Sequence, residues 1–172
     1  MVAFAKEVAP GRLRESYGRC YEDFAVGEIY EHRPGRTIGE ADNTWFTLLT
    51  MNQHPLHFDA AYAAQSVFGR PLVNSCLTLS ILCGMSVSDV SQKATANLGW
   101  NDIKLLAPVF IGDTIYGESE VLAKRLSRKR PDEGVVTVRT TGKKADGTVF
   151  MTFERSVLVA KRGAGIEERA NY

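Results

Sequence analysis

Residues 76–90 most constrain the fold, because LTLSILCGMSVSDV, which makes up most of this segment, is apolar on nearly every side. A helix with this pattern has to be buried all round by other parts of the chain. Asn74 and Ser75 are both residue types that can cap its start. Small residues along it, such as Ser80 and Gly84, would let a sheet pack closely against it. The rest of the chain is therefore expected to surround one central helix.

The sequence after Ser91 changes to the alternation of apolar and polar residues that is typical of β-strands. The candidate strands cover residues 96–98, 103–106, 114–122, 134–142 and 149–160. Asp146-Gly147, between the last two, is a strong hairpin signal. An antiparallel sheet wrapped around one long central helix accounts for this order and predicts an α+β fold. The predicted organisation is an N-terminal arm over 1–20, a single domain over 21–162 and a flexible tail over 163–172.

Composition limits the classes of partner that the chain can bind. The formal net charge of +1 provides no bulk attraction to nucleic acid or to an anionic membrane. No apolar run is long enough to span a bilayer, and Lys6, Glu7 and Pro10 interrupt any signal-peptide core. The 3 cysteines are scattered and odd in number, which favours reduced thiols over a disulfide framework or a zinc site. We therefore expect a cytoplasmic protein with no metal and no cofactor.

Residues 36–61 are the part of the chain most typical of a catalytic site. Acidic residues begin a helix there, where the helix dipole favours negative charge. Phe46 and Leu49, with Trp45 as a further candidate, are expected to share its buried stripe. The helix should end before Pro55, which lacks an N–H and disfavours helix in the residue before it.

Five polar residues surround this proline: Asn52, Gln53, His54, His57 and Asp59. Structural roles account for two of them, because Asn52 can act as a helix C-cap and Asp59 as the N-cap of a following helix. The two histidines beside one proline turn are the candidates for chemistry. The third histidine, at position 32 on an alternating strand, is expected to face solvent.

A family resemblance rests on these residues. Residues 52–59, NQHPLHFD, resemble the signature Asp-x-Asn-Pro-x-His-x-Asp of the MaoC-like hydratases of the hotdog superfamily. Residues 108–114, PVFIGDT, are similar to that family's strand–turn signature, and residues 72–85 are similar to its central helix. The resemblance covers roughly residues 22–161. It implies a hotdog fold, a homodimer or larger homo-oligomer, and reversible addition of water to a 2-enoyl-CoA thioester.

The resemblance also implies a set of site residues. In the family, Asp and His activate the water, and a backbone N–H at the start of the central helix polarises the thioester carbonyl. His57 matches the histidine, whereas Asn52 replaces the aspartate, His54 the asparagine and Ser75 a glycine. An amide cannot act as a general base, so His57 is assigned proton transfer and Asn52 the orientation of water. His54 is a second acid–base group or a contact to a substrate carboxylate. The N–H groups of Ser75 and Cys76 are the predicted oxyanion donors.

Further segments resemble one branch of that family. They are residues 49–52, 73–75, 97–100 and 127–134. That branch is associated with mesaconyl-CoA, itaconyl-CoA or β-methylmalyl-CoA, which carry C5 dicarboxylic acyl groups. Arg128 and Arg130, in a basic cluster with Arg125 and Lys129, are candidates for contacts to the CoA phosphates. The alternative is that this cluster is a solvated hairpin.

Two other functions remain open from the sequence. A hotdog acyl-CoA thioesterase commonly uses an acid on the central helix, and this helix has none before Asp89. A non-catalytic acyl-CoA-binding protein would account for the loss of the family aspartate at Asn52, although His57 is retained. The partners predicted are therefore an acyl-CoA thioester and a second copy of the chain, with no nucleic acid and no membrane.

Overall fold

The computed structural model describes residues 5–172, so the first four positions of the predicted arm lie outside the described residues. The strands and helices in chain order are β1 (Ala5–Ala9), β2 (Arg12–Glu15), β3 (Ile29–Thr37), α1 (Glu40–Leu49), α2 (Ala60–Ala63), α3 (Ser75–Met85), β4 (Ala94–Leu105), β5 (Thr114–Leu126), β6 (Glu133–Lys144), β7 (Val149–Ala160) and α4 (Ile166–Arg169). Short 3-10 turns cover Tyr21–Asp23 and Pro55–His57, and a π-helical turn covers Val87–Ser91.

Five strands form one antiparallel sheet in the order β3-β5-β6-β7-β4, and α3 packs against it. Leu82 of α3 is fully buried in the core beside Phe150 of β7. A Cβ placed on Gly142 of β6 would lie 2.6 Å from the Leu82 Cδ1 atom, so glycine permits this close approach. The prediction of an antiparallel sheet around one helix is confirmed.

The central helix is shorter than predicted. Its N-cap is Asn74, whose side-chain oxygen accepts from the N–H of Cys76. The helix ends at Met85, and the chain then widens into the π-helical turn Val87–Ser91. The hydroxyl of Ser86 donates to the Cys83 carbonyl, a local bond of the kind that competes with regular helix geometry.

Helix α1 buries a polar face. Its buried residues are Asn43 and Thr47, one turn apart, whereas Trp45 is 66% exposed and Leu49 is 77% exposed. Phe46 alone of the predicted stripe packs on the core. The prediction for Trp45 and Leu49 was wrong because α1 packs on loops whose backbone N–H and carbonyl groups need hydrogen-bond partners. The inner side of α1 therefore carries polar side chains that bond to this backbone.

His32 is also placed differently from its prediction. It is 1% exposed, with Nδ1 3.1 Å from Asp89 Oδ2 and Nε2 2.8 Å from Ser119 Oγ. Burial lowers the pKa of His32 below its ordinary value, against the opposing effect of the Asp89 carboxylate. The alternation along β3 correctly predicted a strand, but alternation alone does not reveal which of the two strand faces meets the core.

The first described strands contact the C-terminal segment. Strands β1 and β2 form a separate hairpin, and the predicted tail contains the single turn α4. Lys6 and Arg14 of the hairpin donate to the backbone carbonyls of Tyr172 and Asn171. These bonds join the tail to the hairpin, and the flexibility predicted for the tail stays a prediction. Among residues 5–172, no helix is long and apolar enough to cross a membrane.

Candidate active site

A largely apolar cavity of about 290 Å³ lies at the N-terminal end of α3. Its walls come from the Pro55–His57 turn, the first turn of α3, the segment between β4 and β5, and the start of β7. Backbone contacts hold the walls together, because Val73 N–H donates to the Val109 carbonyl and Leu72 pairs with Phe110. The polar side chains that line it belong to His57, Ser75 and Thr78.

His57 has one ring nitrogen fixed and the other free. Its Nδ1 atom lies 2.8 Å from the carbonyl oxygen of Leu72. A carbonyl can only accept, so Nδ1 carries a proton, and in the neutral ring the lone pair is on Nε2. That nitrogen can take a proton from water, which is the role of a general base.

His54 is held as the opposite tautomer. Its Nδ1 accepts from the Leu56 N–H at 3.1 Å and so caps the 3-10 turn, which leaves the proton on Nε2. The rings of His54 and His57 meet edge to face, with centroids 6.0 Å apart. His54 is exposed and does not line the cavity. The structure therefore brings the two histidines together but places only His57 at the cavity.

Asn52 organises the turn that presents these histidines. Helix α1 ends through Thr50 and Met51, and Met51 has a φ of 60°, so Asn52 is not the C-cap. The Asn52 N–H donates to the Thr47 carbonyl, and its Oδ1 accepts from the His54 N–H at 2.9 Å. Asn52 is not among the residues that line the cavity. Its water-orienting role stays a prediction and would fall to Nδ2. As predicted, Asp59 caps α2, through the Tyr62 N–H.

The first turn of α3 provides one N–H group at the cavity. The N–H of Cys76 donates to Asn74 Oδ1 at 2.9 Å, and those of Leu77 and Thr78 donate to the Asn74 carbonyl. The Ser75 N–H has no acceptor within residues 5–172, and Ser75 lines the cavity. The prediction for Cys76 needs correction, since its N–H is engaged and its side chain is exposed. The helix dipole favours a negatively charged oxygen beside Ser75.

Asn43 connects the turn of His57 to the start of α3, and it was not among the site residues predicted from the sequence. Its Nδ2 donates to the carbonyls of His57 at 2.7 Å and Leu72 at 3.1 Å, and its Oδ1 accepts from the Asn74 N–H at 2.8 Å. The available signal was the pair Asn43 and Thr47, two polar residues one turn apart on a helix whose other side is apolar.

Arg128 and Arg130 line a different groove, together with Leu158 of β7. Met151 of the same strand lines the cavity of His57, seven residues away, or about 23 Å at ~3.3 Å per residue. Arg130 forms an ion pair with Glu133 at 3.3 Å. Within one chain, the structure does not bring these arginines to an acyl group in the cavity, and their contact with CoA phosphates stays a prediction.

A different cation lies close to the cavity. The guanidinium carbon of Arg70 is 3.9 Å from the centroid of the Phe110 ring, which packs edge-on against Phe68 of the cavity wall. No carboxylate of residues 5–172 lies within ion-pair distance of Arg70. Sequence reasoning did not single out this arginine, because nothing local distinguishes it from other surface arginines.

Comparison with known proteins gives consistent similarities. A family model described as mesaconyl-CoA hydratase matches residues 3–169. The mesaconyl-CoA hydratase of Cereibacter sphaeroides is 31% identical over 150 residues, which are 87% of this chain and 43% of that protein. The beta-methylmalyl-CoA dehydratase of Chloroflexus aurantiacus is 33% identical over 84% of this chain and 41% of its own length. The (R)-specific enoyl-CoA hydratase of Aeromonas caviae is 31% identical over 73% of this chain and 89% of its own.

Solved structures agree with the fold. A MaoC domain protein dehydratase from Chloroflexus aurantiacus superposes with a TM-score of 0.80 and 32% identity, over 84% of this chain and 41% of the other. A double-hotdog protein from Mycobacterium tuberculosis, at 20% identity, superposes with a TM-score of 0.78 over 87% and 47%. The chain therefore spans less than half the length of several relatives that it matches, including the first two named above.

Proposed function

Because the chain belongs to the mesaconyl-CoA hydratase family and has the hotdog fold of MaoC-like proteins, we propose that it catalyses the reversible addition of water to a 2-enoyl-CoA thioester. The observation that carries the proposal is the state of His57. Its Nδ1 proton is donated to the Leu72 carbonyl, so in the neutral ring the lone pair is on Nε2, and the residue lines an apolar cavity.

In this mechanism, His57 moves one proton and Ser75 stabilises the charge. Nε2 takes a proton from water as the hydroxide oxygen bonds to the β-carbon of the enoyl group. Electrons move onto the thioester oxygen, where the Ser75 N–H and the α3 dipole stabilise the enolate. The imidazolium then returns its proton to the α-carbon, which restores the thioester carbonyl. Loss of one such oxyanion donor typically raises the barrier by roughly 2.7–4 kcal/mol.

The second proposal concerns the acyl group. We propose a C5 dicarboxylic chain, like those in the names of the mesaconyl-CoA and beta-methylmalyl-CoA relatives. None of the described residues that line the cavity is a lysine or arginine, so a second carboxylate has to reach a cation outside it. Arg70, which stacks on the Phe110 ring beside Phe68 of the cavity wall, supports this proposal because no acid of the described chain neutralises it. The Nε2–H of His54 is a further donor for such a group.

The assembly proposed is a homodimer or larger homo-oligomer. Strand β4 is an edge of the sheet, and its exposed apolar residues include Leu98, Trp100, Ile103 and Leu105. An apolar edge of this length is unfavourable in a monomer. The single domain over residues 21–162 and the cytoplasmic location are also proposals.

One assay tests the function against its alternatives. The protein is incubated with crotonyl-CoA and with mesaconyl-CoA, and the enoyl absorbance and free thiol are followed together. A hydratase removes enoyl absorbance without releasing thiol, a thioesterase releases thiol, and a binding protein does neither. The absence of an acidic side chain on α3 makes the thioesterase outcome the less expected one.

A further inference from the structure

We propose that Asn43 is the positioning residue that holds His57 and the Ser75 N–H in fixed relation to each other. Neither the hydratase signature nor the roles assigned above include it. The proposal rests on the function proposed for His57 and Ser75. The proposal can be tested without catalytic turnover, because it predicts the tautomer of the His57 ring and slow hydrogen exchange of the Asn43 carboxamide.

The contacts of Asn43 use both ends of its carboxamide. The side chain is fully buried, at 0% exposure, on the inner face of α1. Its nitrogen donates two hydrogen bonds, at 2.7 Å to the His57 carbonyl and at 3.1 Å to the Leu72 carbonyl. Its oxygen accepts from the Asn74 N–H at 2.8 Å. A buried amide with all these bonds made is strongly constrained in position.

The bond to Leu72 matters for the base. The Leu72 carbonyl accepts from both Asn43 Nδ2 and His57 Nδ1. The acceptor that selects the His57 tautomer is therefore itself held in place by Asn43. The same carboxamide nitrogen holds the backbone carbonyl of His57, so the ring and its main chain are fixed from one point.

The bond to Asn74 matters for the oxyanion donor. Asn74 immediately precedes Ser75 and caps α3 through the Cys76 N–H. Its side-chain nitrogen is also held by Thr47 Oγ1 at 3.3 Å, one turn along α1 from Asn43. Asn43 therefore spans from the base to the residue that orients the first free N–H of the central helix. An error of about 1 Å in such a relation can cost roughly 100-fold in rate.

The test uses Asn43→Ala, which removes all three bonds, and Thr47→Val as a matched control. Thr47 is equally buried on the same face of α1, and its side chain accepts a hydrogen bond from Asn74 Nδ2 but forms none with the described atoms of His57 or Leu72. With ¹⁵N-labelled histidine, wild-type His57 should show a protonated Nδ1 and an unprotonated Nε2. Asn43→Ala should show a mixture of both tautomers, and Thr47→Val should keep the wild-type signal.

Kinetics supply the second measurement. Asn43→Ala should lower kcat by roughly 10–100-fold with little change in KM, because alignment and not binding is lost. The proposal is overturned if the folded variant keeps both the wild-type tautomer and kcat within about threefold. If hydratase activity is absent from the wild type as well, the tautomer result still decides the role of Asn43, and only the proposed function fails.

A measurement on the wild-type protein covers the case in which the variant does not fold. The Asn43 carboxamide protons and the His57 Nδ1 proton should exchange slowly with deuterium, because all three are in buried or half-buried hydrogen bonds. Exchange as fast as that of the exposed Gln53 carboxamide would contradict the proposal.

Discussion

Replacing His57 by alanine should lower the catalytic rate strongly and change the stability of the protein only slightly. A removed hydrogen-bond donor normally leaves a buried acceptor unsatisfied, at a cost of about 1–3 kcal/mol. Here the Leu72 carbonyl keeps a second donor, Asn43 Nδ2 at 3.1 Å, so that cost is largely avoided. The protein should remain folded, with its melting temperature lowered by only a few degrees.

The rate should fall much further. Loss of a general acid–base group typically costs 10²–10⁴ in kcat, which is about 2.7–5.5 kcal/mol at ~1.36 kcal/mol per tenfold. The assay is the initial rate of enoyl-CoA hydration for wild type, His57→Ala and the control His54→Ala. His54 lies outside the cavity, so its replacement should cost less than about tenfold on crotonyl-CoA, which has no second carboxylate for His54 to contact. If His57→Ala keeps near wild-type activity on every acyl-CoA tried, or if His54→Ala is the more damaging change, the assignment of the base is wrong.

Three further predictions follow from particular contacts. Ser75→Pro removes the N–H at the first helical position, where proline is tolerated, and should lower kcat by roughly 10²–10³ with little loss in melting temperature; unchanged kcat would exclude Ser75 as the oxyanion donor. Arg70→Ala should raise KM for mesaconyl-CoA at least about tenfold more than KM for crotonyl-CoA, since it removes a charge-assisted bond; equal effects would exclude the carboxylate contact. Because the pKa of His32 is lowered in the folded protein, the unfolded chain binds a proton more readily than the folded chain, and the stability should fall as the pH drops below 6.5. Thermal unfolding at several pH values should show a smaller fall for His32→Gln than for the wild type, and an equal fall in both would contradict this.

The sequence predicted the parts of the fold that depend on periodicity and turn chemistry. The apolar pattern of α3 requires burial, and strand alternation with the Asp146-Gly147 turn requires a hairpin. These elements can therefore be predicted without knowing which residues pack against them. The cap at Asp59 was predicted for the same reason, because a side-chain oxygen there meets free N–H groups in its own helix.

The sequence did not reveal which face of an element is turned inward. His32 of β3 and Trp45 and Leu49 of α1 were assigned to the wrong side, because the hydrophobic rule assumes an apolar neighbour. Around His32, the neighbour is Asp89 with Ser119, and beneath α1 it is a set of loop backbone groups. The position of Arg128 and Arg130 was not predictable for a related reason, since charge clusters in sequence carry no information about which end of a sheet they occupy. Their contact with the CoA phosphates stays a prediction.

The replacement of the family aspartate by Asn52 keeps one function of that position and removes another. Asn52 Oδ1 accepts from the His54 N–H, and a carboxylate oxygen could accept the same bond, so the turn that presents the histidines does not depend on the charge. What the amide removes is a negative charge beside the histidine pair. A carboxylate there would repel the second carboxylate of a dicarboxylic acyl group. In the proposed mechanism, the proton transfers then fall to His57 alone, which makes the tautomer of its ring more important than in a site with two acid–base groups. In the proposed mechanism, the buried bonds of Asn43 to Leu72 and His57 therefore hold the one base that the site retains.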